Sequence, residues 1–281
     1  MAALFLALLI AILNSLLYFV ESAVDSLAPM AFRAELAIGY GFSVHTVTRL
    51  FNVALNYGVA LIILKFLKKG FEAYTLWTDG DPDMDPLILL TNFFKALAVA
   101  LSFGVAYNWI CDVAMELLGE FLVIIDTSAA RTITGYIANL VSLGLFDALM
   151  SLIFFIFWLV LYLQFFMRGI EMMILRVGIP FACLGLLDND KGVFKPYIQK
   201  FFQNALTVIV QVVLIRLGLA LMLNNHAVWG VACMMTALAT PKFLQEFMIA
   251  AGGGSNVSGT VYQTARLGQM VKGLLKKAPV K

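Results

Sequence analysis

The sequence predicts an all-α polytopic membrane bundle of about six transmembrane helices, with a short re-entrant or interfacial segment near residues 178–200. Three observations predict it. Of 281 residues, 62% are hydrophobic and 13% charged, against about 45–50% and about 25% in soluble domains. The apolar residues fall in runs approaching the ~20 residues that a spanning helix needs. Lysine and arginine gather in alternate intervals between those runs, as the positive-inside rule requires of a multi-pass chain.

The first run, Ala2–Val20, carries no charge. It lacks the basic start of a secretory signal, so an uncleaved helix is expected, with a cleaved signal as the alternative. Residues 21–49 mix charge with apolar residues and read as an interfacial helix and a Gly-containing link. The second span is Leu50–Phe66. The third is Leu97 to about Ala114, preceded by the amphipathic Leu87–Ala96. Ile137–Phe166 is the fourth, Phe201–Leu223 the fifth. The sixth, Ala227–Ala239, stops at Pro241 and needs Phe243–Ala250 to finish a crossing. "GGGSNVSG" at 252–259 is a flexible linker, followed by a short basic amphipathic helix, Val261–Lys277. The expected division is thus 1–49, a transmembrane bundle over 50–250, and a linker with a basic cytoplasmic tail over 251–281.

Placing "LKFLKKG" in the cytoplasm puts fifteen Lys and Arg inside and three (Arg33, Arg49, Arg131) outside. That bias predicts a multi-pass membrane protein with its C-terminus cytoplasmic. Its N-terminus is cytoplasmic if Ala2–Val20 spans and external if it does not.

Catalytic patterns are missing. Three cysteines and two distant histidines give neither a disulfide framework nor a metal spacing, so no metal and no cofactor is expected. "GGGSNVSGT" is not followed by the Gly-Lys-Ser/Thr that holds nucleotide phosphates. "TDGDPDMDP" alternates Asp79, Asp81, Asp83 and Asp85, but Met84 and Leu90 stand where a calcium loop needs Gly and Glu. It reads as a solvated turn or as a docking site for a basic surface. The chain is therefore not expected to be an enzyme, and another subunit or a gradient must power any work.

Charges inside a bilayer are costly and usually paired or functional. Asp147 is expected about 15 Å into the fourth span and Arg216 about 10 Å from the outer end of the fifth. They form an ion pair that fixes the packing, or they line a passage. Asp112, Glu116 and Glu120 recur every four residues and share one helix face, a solvated face or an acidic ring at the outer mouth. Arg168, Glu171 and Arg176 are expected at the cytoplasmic headgroups, with Arg168 and Glu171 paired. Pro180 lacks a backbone donor and disfavours helix before it. Gly178–Leu187 is therefore expected to dip into or lie along the cytoplasmic face, covered by the fourth helix or a neighbouring subunit. Lys195 and Lys200 then face anionic lipid.

"MILRVGIPFACLGLL", the turn "DNDKG", and "VFKPYIQKFFQNAL" leading into "TVIVQVVLIRLGLAL" resemble the central part of the TrbL family, as does the later "ATPKFLQEFMIAAGGGSN". The two stretches cover about residues 172–256. The resemblance implies a membrane channel or scaffold subunit of a type IV secretion (conjugation) system, of the kind found in Gram-positive conjugative elements. It further implies a homo-oligomer in contact with lipids, with other secretion-system subunits including ATPases, and transiently with a DNA–protein substrate in translocation. A small-solute or ion transporter using Asp147 and Arg216 is the alternative.

Overall fold

A computed structural model of the chain describes residues 2–34, 44–78, 86–128, 135–136, 145–188 and 192–251. The acidic loop 79–85, the start of the predicted fourth span, and the linker with its basic tail lie outside the described residues. The described residues form helices α1 (Ala2–Phe32), α2 (Val44–Thr78), α3 (Pro86–Ser128), α4 (Leu145–Ala182), α5 (Phe194–Leu223) and α6 (Ala227–Ala251). A 3-10 turn, Cys183–Leu187, extends α4. The chain is an all-α bundle, and among the described residues five helical stretches are long and apolar enough to cross a membrane: Thr48–Thr75, Pro86–Asp126, Phe146–Leu187, Phe194–Leu223 and Ala227–Glu246. Ala2–Val20 is helical as the first part of α1 but is not one of these five, and its first nine side chains lie outside the described residues.

Helix direction follows from which residues meet. Phe19 stacks edge-on against Trp158 and Tyr162, and Met30 and Ala34 lie against Gly169. Phe51 meets Arg176, Gly58 meets Pro180, and Lys65 reaches Leu184. In both series the numbers rise together, so α1 and α2 both run parallel to α4 and follow one another along it. Helix α3 runs the other way: Phe93 stacks on Phe66, Gly104 faces Phe51, and Tyr107 donates to the Phe32 carbonyl at 2.8 Å. Helix α5 is antiparallel to α4, through Tyr197–Leu175, Asn204–Arg168 and Gln211–Gln164. Helix α6 returns antiparallel to α5, with Gly218 against Gly230 and Gln211 bonded to Ala237. A first span running opposite to the second is therefore not what the chain builds. Without a reversal between α1 and α2, the start of α1 and the end of α2 lie at opposite ends of the bundle.

The core is aromatic and continuous. Trp158 is fully buried, stacked on Phe155 and Tyr162. Buried Phe201 bridges Phe103 and Tyr107 of α3. The α5–α6 turn is closed by Asn225 at φ 65, a left-handed conformation that asparagine tolerates. Its N–H reaches the Met222 carbonyl at 3.1 Å. Residues from Lys242 onward form a unit separate from Met1–Pro241, and their described part is the last stretch of α6.

Pro180 does not break its helix. Helix α4 runs through it to Ala182, and Ile179 and Pro180 are both buried. A proline in the last turn loses one backbone bond, and two neighbours make the position tolerable. Gly58 of α2 presents no side chain, so Pro180 seats directly on that helix. The Tyr197 hydroxyl of α5 donates to the Leu175 carbonyl at 2.9 Å and braces the preceding turn. Cover over this stretch comes from α2, α3 and α5 of the same chain, with further contacts to α4 itself.

Candidate functional site

Charge is separated along the bundle. One end carries the α2 lysines Lys65, Lys68 and Lys69 with Lys95 of α3, and Lys195 and Lys200 lie exposed toward it on α5. The other end carries Asp25, Asp112, Glu116, Glu120, Asp126 and Asp147, with Arg33 and Arg216 among them.

At the lysine end, two ammonium groups close the α4 terminus. Lys65 Nζ donates to the Leu184 carbonyl at 2.9 Å and to Asp188 Oδ2 at 2.8 Å. Lys69 Nζ reaches the Leu187 carbonyl at 3.0 Å and Asp188 Oδ1 at 2.7 Å. The last carbonyls of a helix carry partial negative charge, so cations there are stabilising. Burial pulls the Asp188 carboxyl upward, but the hydrogen bonds and charges of Lys65 and Lys69 outweigh it and hold its pKa below the usual value. Gly192, at φ +35, turns the chain beside this carboxylate, a backbone that a side chain rarely adopts. Sequence reasoning read the lysines only as a topology signal. The Lys65–Lys69 spacing of one helical turn was the available sign that both could grip one acceptor.

A polar seam runs between α4 and α5. Arg168 Nη1 donates to Glu171 Oε2 at 2.9 Å and to Asn204 Oδ1 at 2.8 Å, and Asn204 Nδ2 closes the ring on Glu171 Oε2 at 2.9 Å. Further along, Gln211 donates to Gln164 at 3.3 Å and to the Ala237 carbonyl at 3.0 Å. Asn204, Thr207 and Gln211 are all buried. Their spacing of three and four places them on one face of α5, a pattern legible in "NALTVIVQ" but passed over. Arg176 points inward instead of to headgroups: its guanidinium lies 4.8 Å from the Tyr107 ring centre and 5.9 Å from that of Phe51. Cation–π attraction of this kind holds a desolvated arginine.

At the acidic end the expected partners change. Arg216 bonds to Asp25 of α1 and lies 3.6 Å from Asp126 of α3, not beside Asp147. Asp147 occupies the first turn of α4, where the helix N-terminus favours a carboxylate, and not a position deep in the span. Its carbonyl accepts from Ser151 at 2.8 Å, and Ser151 shares a 2.9 Å hydrogen bond with buried Tyr136. Burial raises the Tyr136 hydroxyl pKa, the Ser151 bond opposes that, and the Asp147 charge adds to it. Asp112, Glu116 and Glu120 do share an exposed face of α3, and Arg33 engages Asp112.

Among the described residues, no three His, Cys, Asp or Glu side chains converge to hold a metal ion. What the geometry offers is a charge-polarised bundle, internally braced by buried polar bonds and coated with apolar side chains. A family profile described as conjugal transfer protein TrbL matches residues 1–276. No curated protein and no solved structure matches the chain.

Proposed function

Since the chain belongs to the conjugal transfer protein TrbL family, and is thereby a membrane component of conjugal transfer, we propose that it is a channel or scaffold subunit of a type IV secretion machine. In that role it helps move a DNA–protein substrate across the cytoplasmic membrane while partner ATPases supply the energy. One observation carries the reading that it works inside a larger assembly. Exposed apolar side chains run along α4 from Phe146 to Phe181, through Ile156, Leu163 and Ile174. At ~1.5 Å per residue that is about 50 Å, and the hydrocarbon core is ~30 Å thick. A tilt of about 40° still leaves ~40 Å. A bilayer leaves about 10 Å or more of this surface outside its core, and exposed apolar patches of that kind mark protein interaction sites. The expected cover is further copies of this chain or other secretion subunits.

The lysine end is expected in the cytoplasm, by the positive-inside rule. The alternative, a small-solute or ion transporter using Asp147 and Arg216, has no second observation behind it, and Arg216 is engaged by Asp25 and Asp126. The test is a mating assay with the gene deleted and then restored in trans. DNA transfer is expected to collapse in the deletion and return on complementation. Undiminished transfer in the deletion overturns the proposal.

A further inference from the structure

The lysine end contains a cavity of about 370 Å³, lined by Leu61, Leu64, Lys65, Lys68, Lys69, Glu72 and Leu184. We propose that it binds the phosphodiester of an anionic phospholipid, with the acyl chains lying along Leu61, Leu64 and Leu184. This inference stands apart from the transfer role.

The shape of the site makes it amphipathic in one direction. Leu61 and Leu64 are exposed on α2, on the side of the cavity that continues the apolar run of that helix. One turn further on come the three ammonium groups. Apolar wall followed at once by cations is the order in which a lipid presents its tail and its phosphate. Basic pockets between membrane helices on the cytoplasmic side take anionic headgroups by this arrangement.

The charge count favours an anion. Three lysines are opposed by two carboxylates, Asp188 and Glu72. Lys65 and Lys69 each make two of the three bonds that an ammonium can donate. One N–H on each therefore remains for a phosphate oxygen. Lys68 is the most available, with a side chain 76% exposed and Glu72 3.6 Å away, beyond ordinary hydrogen-bond length. A phosphodiester bridging Lys68 to its neighbours would bring to this group the anion that Asp188 supplies only from the far side.

A membrane lipid, and not a soluble phosphate, is the occupant the surroundings favour. The cavity's own walls include Leu61 and Leu64, both exposed on α2, and half-buried Leu184. A free phosphate gains nothing from such walls, whereas a lipid buries its chains against them.

The test uses the full chain in nanodiscs, with lipid retention read by native mass spectrometry after release into detergent. The probes are phosphatidylglycerol, phosphatidylcholine and glycerophosphoglycerol, the soluble headgroup. Phosphatidylglycerol is expected to be retained in preference to phosphatidylcholine. Lys68→Gln is expected to cut that preference about fivefold, the factor that one lysine near an anionic surface contributes. Lys68 makes no contact with Asp188 among the described bonds, so its removal leaves the α2–α4 clamp in place, and an unchanged melting temperature in phosphatidylcholine checks this. Lys95→Gln removes the same charge from α3 at the same end and is expected to leave retention as it was. Equal loss in the two variants would reduce the effect to general surface charge and overturn the site. Displacement by millimolar glycerophosphoglycerol would overturn the lipid as occupant, and equal retention of both lipids would overturn the proposal altogether.

Discussion

Asp188 ties α2 to the end of α4, since its carboxylate holds both Lys65 and Lys69. Asp188→Asn removes two charge-assisted bonds from a half-buried site and is expected to cost about 1–2 kcal/mol. The carboxyl pKa is lowered in the folded chain, so its contribution is complete above the ordinary value of 3.8. It is lost as pH falls through the folded-state value. Thermal unfolding in detergent should therefore show the variant less stable than the parent at neutral pH, with the gap closing below about pH 4. A gap that persisted in acid would assign the effect to shape and not to charge. Arg216 offers a second residue-level check. Arg216→Gln combined with Asp25→Asn should depart from additivity by more than about 0.5 kcal/mol, while Arg216→Gln combined with Asp147→Asn should add. Coupling only in the second pair would restore the contact that the sequence led us to expect. Neither the partners of these charges nor the depth of Asp147 was legible in the sequence. The matching depths were counted from a fourth span beginning at Ile137, whereas Asp147 lies in the first turn of α4, and depth says nothing about which side of a helix a residue occupies.

Two glycines of α2 make the element-level point, because one is needed and the other is not. A Cβ at Gly58 would overlap the Pro180 ring, whereas one at Gly70 would meet nothing within 4 Å. Alanine is the better helix former by about 1 kcal/mol. Gly70→Ala should therefore raise the unfolding midpoint. Gly58→Ala should lower it despite that gain, through an overpacking cost of about 1–3 kcal/mol. The polar seam behaves differently, since its cost is electrostatic: Asn204→Leu leaves Arg168 and Glu171 each short of a buried partner, with an expected loss of about 1–3 kcal/mol. That most described helices would exist was legible from their apolar runs. Their lengths were not, because helices continued through charged stretches such as Lys65–Thr78 and Asp112–Ser128, where hydropathy falls but α-helix is still favoured. Pro180 was misjudged for a related reason. The rule that proline ends helices supposes that nothing outside the helix supports the position, and Gly58 and Tyr197 supply that support from other parts of the chain.

For the whole molecule, the parallel course of α1 and α2 is the arrangement that hydropathy could not reveal, because apolar runs and charge counts carry no record of whether the chain reverses between them. It predicts a labelling pattern. Cysteines introduced at Ala3 and at Leu87, in a background lacking Cys111, Cys183 and Cys233, should react with a membrane-impermeant maleimide from opposite sides of the cell membrane. Labelling of both from one side would mean that α1 reverses before α2. The separation of charge has a consequence of another kind. Among the described residues the lysine end carries more lysines than carboxylates, even with Glu72 and Asp188 counted, and the other end more carboxylates than arginines. With the first inside and the second outside, as proposed, this part of the bundle is a dipole lying along the transmembrane voltage. A potential negative inside acts on each charge by up to about 2.3 kcal/mol per 100 mV, drawing the lysine end inward and the acidic end outward. An energised cell thus holds the subunit in its inserted orientation, and collapse of the potential slackens that hold without breaking a single contact.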